Sequence, residues 1–578
     1  MLTFKTFSFQ RFAVLYSIIS TLQVAVFCQN SSCEQAIAIT SWVLDQADTN
    51  TAAQELLGEA AIQYEEQQPS TSDLIQVMPQ LPWVAFQVQA LLGATAYGGA
   101  EPGEIFNVVN RLNASDRLGN LTQYEDNVLD VFDIWRDSWV DLANRLVATA
   151  SNDASQLSDE AKASMLYRAS QYYFISQWPF PVSEGGLRAA ENSTKAFDDY
   201  LTNLKTSRGY TVEYLDIPFS NGTVSVDLPG VFITPDPTKK LPLVILNTGT
   251  DYPKEAIFPF GGSQSLENGY AVLIFDGPGQ GQVKRQEPYM PLVPDWETVI
   301  ESVLSEVKTN ENIQRYVSLD DIVLWGVSLG GYLVGKACSV LPKDSLKACI
   351  VTPAVVSMIP PYANGLIEKL FVPMAKLNSS DIPEGYAEAL QNSTTVVDKI
   401  LRPLLQECDD DSAARSIWTT MFDASPDELI DVLPDYVYSI MDYAGIVTSN
   451  VTEIIDATYL GYQGVLNFTN TDISTTKIPI LVLSGTQDNL MGGQEEEYFN
   501  QLPQDIQDVS KLVNFTAETG GALHSQSGAL QTQAEAVFPW LKETLGNAAP
   551  SQPSSSNYQR SDAFALIAVL ISVLLHLF

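Results

Sequence analysis

The chain has 578 residues, of which 45% are apolar and 17% charged, with a formal net charge of −38. That length suits two or three domains, and the apolar content is ample for sizeable cores. So acidic a surface repels phosphate backbones and excludes nucleic acid as a partner; spread along the chain rather than held in one tail, the charge reads as a hydrated surface.

In chain order, residues 1–28 come first. Lys5 and Arg11 make a basic start, Phe12 to Phe27 is mostly apolar, and Val26 and Cys28 sit where a cleavage site would fall. This layout predicts a secretory signal peptide, with an uncleaved anchor as the alternative.

Residues 29–205 are predicted to form a helical domain. "SCEQAIAITSWVLDQA", "YEDNVLDVFDIWRDSWVDLANRLVATA" and "SDEAKASMLYRASQYYFISQWPF" repeat their apolar residues at three and four. Ser158, followed by Asp159 and Glu160, is placed to start the last of these helices. No run here resembles a strand, and no internal repeat is found.

The period changes near residue 210. "YTVEYLDIPF" and "TVSVDLPGVFITP", separated by "SNG", predict a hairpin. "LPLVILNTG", "YAVLIFDGPGQG", "DIVLWGV", "LKACIVTPAV" and "IPILVLSGTQD" are short apolar runs of the kind buried parallel strands show. Alternation with helical segments predicts an α/β core over 206–354 and 476–545, with a mostly parallel sheet. Between its two parts, 355–475 returns to a helical period and reads as a helical cap insertion.

Residues 546–578 are a Ser-, Pro- and Gln-rich linker followed by a short apolar tail, Ala563 to Phe578. The tail is short beside the roughly 20 residues of a membrane span. With small residues before it, it predicts a glycosylphosphatidylinositol anchor signal, attached near Ser554 to Asn557 or at Asn547. A transmembrane tail anchor is the alternative. The protein is thus expected at the outer face of the plasma membrane or cell wall, touching membrane only through a lipid.

Processing at both ends would remove Cys28 and leave Cys33, Cys338, Cys349 and Cys408. Two bridges are then possible in an oxidising compartment, and their pairing is open. The spacing carries no zinc pattern. Ten Asn-x-Ser/Thr sites fit a secreted glycoprotein.

Only two histidines occur, and His576 lies in the tail that processing would remove. His524, in "TGGALHSQSGAL", is therefore the one imidazole expected in the mature chain. "WGVSLGG" holds a G-x-S-x-G pattern centred on Ser328, between a predicted strand and a predicted helix. A serine on so sharp a turn needs small neighbours, which Gly326 and Gly330 supply. Its hydroxyl is a weak nucleophile without an adjacent base, which assigns that role to His524. Asp488, in the loop after "LVLSG", is placed to orient the imidazole; the rivals Glu495, Glu496 and Glu497 read as the exposed start of a helix. The chain order Ser328, Asp488, His524 is that of α/β-hydrolases. An oxyanion needs two backbone N–H donors, assigned to Leu329 and to Thr250 in "LNTGTDYPKE". "FDGPGQGQ" lacks the lysine and spacing of a phosphate loop and reads as a tight turn beside the site.

The elements "LNTGTD", "FDGPGQGQ", "GVSLGGY", "GTQDNL" and "GGALHSQSGAL" resemble a group of fungal and bacterial α/β-hydrolases. That group includes the yellowish-green pigment hydrolases of fungal melanin synthesis and 2,6-dihydroxypseudooxynicotine hydrolase. The resemblance runs over about 160–545. It implies an α/β-hydrolase fold, a Ser–Asp–His triad without cofactor, and hydrolysis of esters or of carbon–carbon bonds next to ketones in a small-molecule substrate. Helices over the site would place Tyr172, Tyr173, Tyr252 and Tyr332 as pocket candidates. Ser525 stands where the group often has cysteine, and an exported chain departs from its intracellular members. Two other function classes are a prolyl-oligopeptidase-like peptidase, disfavoured by the lack of a repeated β-region, and a non-catalytic surface binding protein on the same scaffold.

Overall fold

A computed structural model describes residues 82–113, 128–356 and 472–546 together with Pro550, apart from 153, 155, 178–183, 223, 250–251, 288–289, 291, 294 and 489–490. The expected leader, the anchor signal, nearly all of the 355–475 insertion, and Cys33 and Cys408 lie outside the described residues.

Among the described residues, five helices precede the sheet: α1 Pro82–Ala94, α2 Pro102–Asn113, α3 Val128–Ala150, α4 Asp159–Ser176 and α5 Glu184–Arg208. Ser158 caps α4 as its sequence position predicts, its side chain accepting from the Ala161 N–H at 3.2 Å and satisfying one of the orphan donors of the first turn. The tryptophans of α3 face inward: Trp135 and Trp139 are fully buried with Val88, Ile105 and Tyr172 in a cluster of the helices' own.

Among the described residues the sheet has eight strands: β1 Thr211–Ser220, β2 Ser225–Thr234, β3 Leu241–Asn247, β4 Ala271–Phe275, β5 Val317–Val327, β6 Ala348–Thr352, β7 Ile480–Gly485 and β8 Lys511–Phe515. Their order is β1-β2-β4-β3-β5-β6-β7-β8. β1 and β2 pair antiparallel, as do β2 and β4; all later neighbours are parallel. This is an α/β-hydrolase sheet.

Strand alternation divides the core in two. Leu243 and Ile245 point to one face, with helices α6 Trp296–Thr309 and α7 Leu329–Val340. Val244 and Leu246 point to the other, with α5 and the final helix α9 Leu530–Leu545; α8, Glu495–Gln501, precedes β8. With both faces covered, β3 is buried at every position, which is why it reads as an unbroken apolar run. Each such Leu, Val or Ile contributes roughly 1.5–3 kcal/mol by leaving water. A disulfide joins Cys338 of α7 to Cys349 of β6, resolving one of the open pairings.

Candidate active site

The functional side chains stand at the C-terminal ends of the parallel strands, where the crevice of an open α/β sheet forms. Ser328 follows β5 and precedes α7 with φ +60° and ψ −131°, a positive-φ conformation that costs a non-glycine residue roughly 1–3 kcal/mol. The turn is held by the Ser328 N–H on Thr352 O (2.6 Å) and the Gly331 N–H on Ser328 O (2.8 Å). It is also too tight for side chains. A β-carbon at Gly326 would overlap the Gly330 carbonyl, and one at Gly330 would lie 2.5 Å from Thr248 O. The glycines of the motif are therefore steric necessities.

His524 follows β8, and its Nε2 lies 2.9 Å from Ser328 Oγ. Its Nδ1 lies 2.8 Å from Asp488 Oδ2, and Asp488 follows β7. The Asp488 side chain is fully buried and that of His524 is 7% exposed. A carboxylate on Nδ1 assigns the proton to that nitrogen and leaves Nε2 as the acceptor facing the hydroxyl. The second carboxylate oxygen, Oδ1, accepts the Met491 N–H at 3.0 Å. The three residues that the sequence singled out are thus brought into one hydrogen-bonded run from positions 328, 488 and 524.

The histidine loop is itself strained. Ser525 and Gln526 both have φ of +53°, and a buried amide chain holds them. Gln533 of α9 donates to Gln526 Oε1 (3.1 Å) and more weakly to Ser525 O (3.4 Å), while Gln264 donates to Gln533 Oε1 (3.0 Å). The Gln487 N–H on Ala522 O, at 2.9 Å, ties the aspartate loop to the histidine loop.

Leu329 opens α7, where first-turn N–H groups have no intrahelical acceptor and the positive end of the helix dipole lies. Thr250 lies outside the described residues. Its neighbour Gly249 packs directly on the serine: a β-carbon there would be 2.8 Å from Ser328 Cβ and 3.2 Å from Oγ.

The aromatic pocket candidates separate. Tyr252 sits on the loop after β3, donates to Gln87 Oε1 of α1 at 2.7 Å and packs on Phe174 and Phe260. Tyr172 and Tyr173 are instead buried in the helical cluster, donating to Glu104 Oε2 (2.8 Å) and Asn144 Oδ1 (2.6 Å). Tyr332 is fully buried against α6 and the sheet. These three are buried: Tyr172 and Tyr173 fill the packing between helices, and Tyr332 fills the layer between α7 and the sheet.

The sequence missed two apolar side chains beside the triad. Met491 Sδ is 3.7 Å from Ser328 Oγ, and the Phe86 ring centre is 6.1 Å from that of His524. Neither position carries a sequence signal beyond its apolar type. The expectation of an exposed Glu495 is also corrected: it is 3% exposed, its Oε2 accepts the Gly493 N–H at 2.8 Å, and its Oε1 is buried without a partner. Burial, and the Asp488 charge in a lesser part, push this carboxyl up to about 7. Among the described residues, no group of three or more His, Cys, Asp or Glu side chains is arranged to hold a metal ion.

No family model matches the chain. Among curated proteins, it is 30% identical to the alpha/beta hydrolase ucsC of Acremonium sp over 284 residues, covering 46% of this chain and 53% of the relative. It is 31% identical over 273 residues to the 20-hydroxy-prefusarin hydrolase FUS2 of Gibberella moniliformis, covering 46% of this chain and 59% of the relative. The chain thus spans a little over half the length of these curated relatives. Among solved structures, the 2,6-dihydroxy-pseudo-oxynicotine hydrolase overlays with a TM-score of 0.47 at 15% identity, over 80% of this chain and 98% of that one.

Proposed function

We propose that the chain is a serine hydrolase of the α/β-hydrolase family acting on an ester, or on a carbon–carbon bond next to a ketone, in a small-molecule substrate. One observation carries the reading: the unbroken run Asp488–His524–Ser328, with contacts of 2.8 and 2.9 Å. In this mechanism Ser328 Oγ attacks the substrate carbonyl while His524 Nε2 takes its proton. Asp488 holds the imidazole in the tautomer that accepts and stabilises the imidazolium that forms. The negative oxygen of the tetrahedral intermediate rests on the Leu329 N–H, helped by the α7 dipole, and on a second amide of the loop after β3, assigned to Thr250. His524 then protonates the departing alcohol or carbanion. Water, deprotonated by the same nitrogen, releases the acyl group from Ser328. The Met491 thioether and the Phe86 ring favour apolar substituents at the carbonyl.

The test is covalent. A fluorophosphonate probe labels Ser328 in the wild-type chain, and Ser328→Ala abolishes both labelling and p-nitrophenyl butyrate hydrolysis. Labelling that persists in Ser328→Ala, or a wild-type chain that neither labels nor turns over, refutes the reading and favours a non-catalytic binding protein.

We also infer that the protein is exported and held at the cell surface by a glycosylphosphatidylinositol anchor. The reading rests on the sequences of the two ends, on ten glycosylation sites and on the Cys338–Cys349 bridge, since such bridges persist in oxidising compartments. Release of the expressed protein from intact cells by a phosphatidylinositol-specific phospholipase C checks it; retention after that treatment overturns it.

A further inference from the structure

The "FDGPGQGQ" segment, set aside as a phosphate loop, packs against the backbone that borders Ser328. Gln280 within it is fully buried. Its Nε2 donates both hydrogens to successive carbonyls, Thr248 O at 3.0 Å and Gly249 O at 2.8 Å. Its Oε1 accepts the Gly277 N–H at 3.1 Å, which fixes which end of the amide faces the carbonyls. Asp276, also fully buried, reaches the far side of the same loop: Oδ1 accepts the Lys254 N–H at 2.7 Å, and Oδ2 accepts the Gln282 N–H at 3.0 Å and Lys254 Nζ at 3.3 Å. The turn that aims these groups needs Gly281, with φ of +43°, where a β-carbon would overlap the Asp276 carboxylate.

A peptide unit is planar and trans, so a carbonyl fixed on one side fixes the N–H on the other. With the Thr248 carbonyl on Gln280, the Gly249 N–H is committed to the opposite direction. Gly249 is the residue packed against Ser328 Oγ, and glycine left unclamped rotates its flanking peptides more readily than any other residue.

We propose that Gln280 is a positioning residue for catalysis: its side-chain amide clamps the Thr248 and Gly249 carbonyls, and so presets the two peptide units of the loop after β3 from which the second oxyanion donor is drawn. Asp276 anchors the other end of the same loop. The inference rests on the serine-hydrolase reading and adds to it the part that holds its electrostatic machinery in place before substrate arrives, when preorganisation matters most.

Gln280→Met in the full-length chain keeps nearly the same side-chain volume and removes all three hydrogen bonds. The expected result is a fall of about 30-fold in kcat on p-nitrophenyl butyrate, with KM changed less than about threefold, since ground-state binding does not use the oxyanion donors. Affinity for a trifluoromethyl ketone, whose adduct carries an oxyanion, falls in parallel. A merely structural staple would lower the melting temperature and leave that parallel absent. A folded Gln280→Met chain with wild-type kcat and wild-type ketone affinity overturns the proposal, as does a loss confined to KM. If Gln280→Met does not accumulate folded, Gln280→Asn carries the same test, because it keeps the amide but falls one methylene short of spanning both carbonyls; full activity in that variant is equally fatal. A Ser328→Ala chain that is inert beside a fully active Gln280→Met chain sinks only this inference, whereas turnover by Ser328→Ala sinks the reading beneath it.

Discussion

Replacing Asp488 by asparagine removes one charge and exchanges one oxygen for an NH2 group, and the surroundings dictate which way the amide turns. The Met491 N–H, 3.0 Å from Oδ1, demands an acceptor there. The asparagine oxygen satisfies it, which directs the NH2 at His524 Nδ1. Two donors cannot face each other, so the imidazole shifts its proton to Nε2, the nitrogen 2.9 Å from Ser328 Oγ. That nitrogen then cannot accept the serine proton. The lost charge matters as well. With charge centres roughly 4 Å apart and an effective dielectric near 20, a carboxylate stabilises an imidazolium by about 4 kcal/mol, which is about a thousandfold in rate. Steady-state kcat on p-nitrophenyl butyrate and the rate of fluorophosphonate labelling should both fall by about that factor, with KM little changed. The melting temperature should not drop in proportion, because asparagine keeps the bond to Met491. An Asp488→Asn chain with more than a tenth of wild-type kcat would refute the reasoning, and would direct attention to the neighbouring buried Glu495.

Two further outcomes follow from the same geometry. Gly249→Ala would place a β-carbon 2.8 Å from Ser328 Cβ, 3.1 Å from Val327 O and 3.2 Å from Ser328 Oγ; we expect kcat/KM to fall by about 100-fold or more through displacement of the nucleophile, and near-wild-type kinetics would contradict the packing. Glu495 is held at about 7 against an ordinary 4.5, first by burial. The folded chain therefore keeps a proton between those values that the unfolded chain has lost. Its stabilising effect is complete below about pH 4.5 and is lost as pH rises through 7, amounting to about 3 kcal/mol. Glu495→Gln should flatten that part of the stability–pH curve in chemical denaturation, and an unchanged slope between pH 5 and 8 would show that the carboxyl does not titrate there.

Much of the site is legible in the chain because its chemistry uses rare residues at constrained places. Ser328 announces itself through Gly326 and Gly330, which no side chain can replace at that turn. His524 is conspicuous because imidazoles are almost absent from this sequence. Asp488 follows from its position after a predicted strand. Gln280, Gln533, Met491 and Phe86 were not legible in the same way. Glutamines are common in this chain, and nothing local marks the one whose amide reaches carbonyls 31 and 32 positions away. Glu495 shows the converse: three successive glutamates at a helix start read as exposed, yet the first turns inward against the loop that carries Asp488.

By itself the sequence determined the α/β fold class, the leading hairpin, five of the six strands that pair in parallel, and the helical character of the segment before them; β8 carried no strand signal of its own. Each of these is a local matter: apolar period and turn chemistry. Only the tertiary structure decided which of the tyrosine candidates fill core, which cysteine meets Cys338, and how the loop after β3 is held. Those outcomes depend on contacts between segments tens or hundreds of residues apart, whose partners are selected by packing of the whole sheet with its helices rather than by any pattern along the chain.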